Sequence, residues 1–110
     1  MSQPFHGYGA ALGLVAGLRP VLDGLMKADR SLADQLRRAA SSVVLNIAEG
    51  NRRAGKDRLQ FFRIAAGSAA EVRAALDVAR AWGMIGAAPT AEAELDRVLA
   101  MLWRLTHPRG

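Results

Sequence analysis

Apolar residues recur at three- and four-residue intervals in four separate stretches of this chain, and that spacing predicts four amphipathic helices. In the first, about residues 10–27, the repeating set is Ala11, Leu14, Val15, Leu18, Leu22, Leu25 and Met26. Pro20 falls inside it and removes the hydrogen bond to the Ala16 carbonyl, which predicts a bend or a split. The preceding head, residues 1–9, contains Pro4, His6, Gly7 and Gly9 and favours no helix.

A second helix is expected over about residues 31–50. Ser31 with Asp34 three positions on reads as its capping start. Leu32, Leu36, Ala39, Ala40, Val43 and Ile47 fall within roughly one third of its circumference, the width of a core-facing stripe. Leu45 falls on the opposite arc among Arg37, Arg38, Ser41 and Ser42, an isolated apolar residue on a polar face if the chain acts alone. Gly50 and Gly55 then bracket Arg52 and Arg53 in a tight connection.

The third helix, about residues 56–82, carries one stripe of Phe61, Phe62, Ala65, Ala69, Val72, Leu76 and Ala79. A second stripe comprises Ile64, Ala75, Val78 and Trp82, with the small residues Gly67 and Ser68 permitting close helix approach. A helix with two apolar faces contacts two neighbours, so Leu45, Ile64, Gly67, Ala75, Val78 and Trp82 are the expected self-association surface. Gly83 and Gly86 end this helix. Thr90 is the expected N-cap of the fourth, about residues 90–106, with Glu92 and Glu94 in its first turn. Its stripe is Ala91, Leu95, Val98, Leu99, Leu102 and Leu105, flanked by Met101 and Trp103. With no strand pattern and mostly short connections, the chain reads as one all-α domain spanning residues 1–110, an antiparallel up-down-up-down four-helix bundle.

Composition narrows the class. At 110 residues the chain has the size of one domain, and 51% hydrophobic content suffices for a modest core. The absence of cysteine excludes disulfides and thiolate metal sites and suits a reducing, cytoplasmic setting. No charged segment precedes an apolar run in MSQPFHGYG, and no uninterrupted apolar stretch approaches membrane-spanning length, so a soluble protein without a membrane partner is expected. Fifteen Lys and Arg against ten Asp and Glu leave a formal charge of +5, a balance that suits phosphates, acidic proteins or an oligomer interface.

Three linked motifs carry a resemblance. QLRRAASSV (Gln35–Val43), NIAEG (Asn46–Gly50) and IAAGSAAE (Ile64–Glu71) occur in that order, and over roughly Leu32–Leu105 the chain resembles a bacterial four-helix-bundle family. That family is known from intervening sequences in large-subunit ribosomal RNA genes. The resemblance implies a left-handed bundle assembled into a homo-oligomeric ring, typically a pentamer, with a positively charged exterior or channel. It also implies kinship in fold with the accessory variability protein of diversity-generating retroelements, which partners a reverse transcriptase and binds nucleic acid. Two features depart from the family pattern: aromatic residues are not evident in the first helix, and the basic turn reads NRRAG.

Candidate chemistry concentrates at that turn. Between residues 51 and 63, Arg52, Arg53, Lys56, Arg58 and Arg63 face Asp57 alone, and repetition around a ring would make a basic belt. The alternative is a solvated helix start. Arg37 and Arg38 are further nucleic-acid candidates. Base stacking is not expected, because Phe61, Phe62, Trp82 and Trp103 lie on or beside packing stripes rather than within the basic run. Asn46, Glu49, Ser68 and Glu71 would form either a ligand cluster or a hydrogen-bonded structural network, the latter with Glu49 paired to an arginine.

No catalytic or metal-binding pattern accompanies these residues. His6 and His107 stand at the two chain ends, no Glu-x-x-His repeat is present, and Gly50–Gly55 lacks the Lys-Ser/Thr ending of a phosphate loop. The expectation is a non-enzyme without cofactor or small-molecule substrate. Two roles stay open: a basic ring binding RNA, DNA or a nucleic-acid enzyme, and a structural scaffold for a protein partner.

Overall fold

Every apolar stripe needs a partner to cover it, and four helices meet that need by packing in a closed square. The structure, a computed structural model, describes residues 7–108. It contains α1 (Tyr8–Ala28), α2 (Arg30–Asn51), α3 (Gly55–Ala81) and α4 (Pro89–Thr106), with no strand among the described residues. Helices adjacent in sequence pack on each other, and α1 closes the square on α4. Contacts fix the antiparallel sense: Ser42 meets Ser68 and Gly50 meets Phe62 across α2/α3, while Arg73 meets Asp96 and Arg80 meets Glu92 across α3/α4.

The core follows the stripes. Leu14, Leu18 and Leu25 of α1, Leu36, Val43 and Ile47 of α2, Phe62, Val72 and Leu76 of α3, and Leu95, Val98 and Leu102 of α4 are its largest fully buried side chains. Each contributes about 1.5–3 kcal/mol by leaving water. By length and mean hydropathy, 1.3 over its most apolar window, α1 would pass as a membrane span. Its buried residues, however, are contacts within the bundle.

Helix ends differ from the expectation in three places. Asp29, not Ser31, caps α2: its extended backbone leaves α1 by donating to the Leu25 carbonyl at 2.8 Å, and its carboxylate accepts from the Leu32 amide at 3.0 Å. One residue thus closes one helix and opens the next. Pro89, not Thr90, begins α4, with Ala88 in the capping position, because the fixed proline φ is already helical and its missing amide costs nothing there. Pro20 does not split α1, which runs as one helix from Tyr8 to Ala28 with the proline on its exposed side. Of the expected irregular head, residues 1–6 lie outside the described residues, and Tyr8 and Gly9 are already helical.

Two glycines have a clear structural reason. Gly83, at φ +74, ends α3 in a pair of reverse bonds, its own amide to the Arg80 carbonyl and that of Met84 to the Ala79 carbonyl, both 2.9 Å. Gly50 lets the Phe62 ring lie against the α2 backbone: a β-carbon there would stand 2.6 Å from the ring edge.

Candidate functional site

The α2/α3 hairpin tip gathers most of the expected basic residues, and the structure sorts them into two groups. Arg53 and Arg58 are consumed by the fold. The Arg53 guanidinium donates to Glu49 from Nε at 3.2 Å and Nη2 at 3.0 Å, donates to Asp57 from Nη1 at 2.9 Å, and lies 5.0 Å from the Phe61 ring centroid. The hydrogen bond to Glu49, then that to Asp57, raises its pKa above the usual arginine value. Arg58 turns back onto α2, where its guanidinium donates to the carbonyls of Gly50 at 3.1 Å, Asn51 at 3.2 Å and Arg53 at 2.8 Å. These carbonyls lie at the C-terminal end of α2 and in the turn after it, where the helical ladder stops; the Gly50 carbonyl also accepts from the Arg53 amide at 3.1 Å, and Arg58 acts as a C-terminal cap.

Arg52, Lys56 and Arg63 form the second group. All three are exposed, and none has a side-chain hydrogen bond or ion pair among the described residues. Glu49 and Asp57, the nearby carboxylates, are already spent on Arg53, so the charge of these cations faces solvent uncompensated. Arg38 is equally exposed and unpaired, whereas Arg37 reaches Asp34 at 3.4 Å. Arg38 is 14 residues from Arg52, about 21 Å along the helix axis, so the structure does not bring the α2 pair into the tip cluster.

The expected polar cluster comes apart into separate units. Ser68 is buried, and its hydroxyl shares a hydrogen bond of 2.7 Å with Ser42 across the hairpin. Asn46 donates to the Ser42 hydroxyl at 3.0 Å and to its carbonyl at 2.9 Å. No buried polar side-chain atom lacks a partner among the described residues, which favours a register-setting role over ligand binding. Glu49 belongs to the Arg53 cluster instead. Glu71 is exposed on the outer side of α3, outside the network. Ser42 joins the network against its sequence pattern, since its position in the helical repeat places it on the polar arc; only α3 covers it.

Leu45, Ile64, Val78 and Trp82 are 67%, 41%, 44% and 73% exposed, an apolar outer surface on the same hairpin. Gly67 is open, with no atom within 4 Å of the place a β-carbon would take. Ala75 departs from this set and is buried in the chain's own core, where α2 covers that side of α3. Phe61, expected in the core stripe, is half-buried beneath Arg53.

Trp103 stands beside its packing stripe, as its spacing indicates, but its ring is open. It is 61% exposed and stacks on His107 with ring centroids 4.2 Å apart and planes 13° from parallel. Sequence spacing marks it as a flank of the fourth stripe but gives no sign of an open ring.

Among the described residues there is no cluster of His, Asp and Glu arranged to hold a metal ion. A cavity of about 430 Å³ opens between the second half of α1 and the α3/α4 connection, lined by Gly17, Val21, Ile85, Pro89 and neighbours, without a charged side chain. The tip gathers three exposed cations, Arg52, Lys56 and Arg63, that no carboxylate pairs with among the described residues. Comparison with known proteins returned no match among curated proteins and none among solved structures. The family model of the 23S rRNA-intervening sequence protein matches residues 19–104, which covers the second half of α1, all of α2 and α3, and most of α4. The chain belongs to the 23S rRNA-intervening sequence protein family.

Proposed function

We propose that this chain is a non-enzymatic, cytoplasmic, homo-oligomeric bundle that binds the phosphate backbone of RNA or DNA through its hairpin tip. The observation that carries the reading is the division of charge there. Both local carboxylates are engaged by Arg53, while Arg52, Lys56 and Arg63 stay exposed and unpaired. Cations held this way displace condensed counterions from a polyphosphate without reading its bases. Repetition of the tip by assembly through Leu45, Ile64, Gly67, Val78 and Trp82 multiplies the effect, and a pentameric ring is the form the family resemblance implies.

The test is oligonucleotide binding across a salt series with Arg52→Glu/Lys56→Glu. Arg53 is spared because it holds the hairpin together. Affinity is expected to fall, with the salt slope reduced by about one for each phosphate that is no longer neutralised, while the oligomer persists. Unchanged binding in the double variant would overturn the reading. The uncovered apolar face also supports a second reading, a scaffold for a protein partner. Retention of a stoichiometric partner after nuclease treatment, with no oligonucleotide binding by the purified protein, would favour it.

A further inference from the structure

The exposed Trp103–His107 stack stands at the same end of the bundle as the unpaired cations. Two independent observations place it there. Leu105 and Pro108 share a cleft with Gly55, Arg58, Leu59 and Phe62, so the end of α4 lies on the opening turns of α3. Along α4, Glu92 and Asp96 face α3 through their ion pairs with Arg80 and Arg73. Trp103 follows Asp96 by seven residues and His107 by eleven, spacings that return to the same helix side. The matching run on α3 passes from Arg80 and Arg73 to Ala66 and then to the turn holding Arg63.

The stack is also held in place. His107 Nδ1 lies 2.9 Å from the Trp103 carbonyl and 3.2 Å from the Thr106 hydroxyl, which itself donates to the Leu102 carbonyl at 2.8 Å. One face of the indole is thereby covered by a fixed imidazole, while the residue stays 61% exposed. An open indole surface has an unfavourable contact with water and a π-face that a planar ring can cover. Local charge is uniformly positive around it. No carboxylate occurs between Asp96 and Pro108, or on α3 between Asp57 and Glu71, whereas Arg63 and Arg104 are exposed and unpaired.

We propose that the Trp103–His107 stack is a platform for an unpaired base of a single-stranded nucleic acid whose phosphates lie on Arg63, Lys56 and Arg52. This rests on the phosphate-binding reading of the tip and adds strandedness to it: a duplex keeps its bases stacked on each other and cannot use the indole, whereas a single strand can. Tolerance of base identity follows, because every base presents a π-face and the stack offers no fixed base-edge donors.

Three ligands separate the contributions: oligothymidylate, an abasic phosphodiester chain of the same length, and a duplex. Trp103→Ala is expected to weaken oligothymidylate binding about tenfold and leave the abasic chain and duplex unaffected, with Trp103→Phe retaining most of the affinity. In a Trp82→Phe background, the fluorescence of Trp103 should be quenched by oligothymidylate and not by the abasic chain. Equal losses on all three ligands, or no loss on any, would overturn the platform while leaving charge-driven binding intact. Shielding of Trp103 from acrylamide in the free protein would also overturn it, by assigning the ring to contact between copies. If the wild-type protein binds none of the three ligands, the phosphate reading falls and this one with it.

Discussion

Helix α3 has two long edges, and they are finished differently. Along α4 the rim is closed by ion pairs, Arg73 with Asp96 and Arg80 with Glu92, so this seam's charged groups find partners within the chain. Along α2 the seam is held from beneath, by Phe62 against Gly50 and by the Ser42–Ser68 bond, while its outer surface keeps Leu45, Ile64, Val78 and Trp82 in solvent. From Arg73 to Arg80 the first edge is complete in one copy, and it opens only at its far end, where Trp103 is exposed. The second presents apolar surface that one copy does not cover, and its tip presents cations that one copy does not neutralise. Assembly and binding are therefore most economically placed on the α2/α3 side.

The largest expected effect comes from placing charge on that open side. Leu45→Glu would bury an unpaired carboxylate in the proposed contact between copies, costing about 3–5 kcal/mol. Light scattering should then report monomers with unchanged helical content; an intact oligomer would remove Leu45 from the contact. Next is Gly50→Ala, which drives a methyl group into the fixed ring of buried Phe62 and should destabilise the fold by about 1–3 kcal/mol in denaturant unfolding. A neutral or stabilising result would mean that the ring has room to move and that the gain in helix propensity prevails. The smallest effect is expected on the closed edge. Arg80→Ala removes a partly exposed ion pair and should cost only about 0.2–1 kcal/mol, with oligomeric state unchanged. A loss of assembly in that variant would reverse the contrast between the two edges.

Much of this division is legible in the residue pattern. The core stripe of α2 is Leu32, Leu36, Ala39, Ala40, Val43 and Ile47 by spacing, and all six are buried. Leu45 and Trp82 stand outside the packed stripes by spacing, and both are exposed. Periodicity succeeds because helix geometry links sequence separation to facing direction without reference to any other element. It fails where a second helix decides. Ala75 belongs by spacing to the second α3 stripe, and only the position of α2 assigns it to the core. Ser42 looks solvent-facing until Ser68 arrives from 26 residues away.

The tip shows the same boundary at the level of charge. The order of residues determined that five cations and one carboxylate meet in a short connection between two helices, and that this connection belongs to a bundle. Only the tertiary structure decided which cations are left over, because Arg53 draws on Glu49 from the preceding helix and Arg58 folds back onto the carbonyls at its end. Trp103 and His107 join the basic end for a reason no local pattern contains. Antiparallel packing returns the end of α4 to the start of α3, so residues some forty positions apart in the chain come to share one surface.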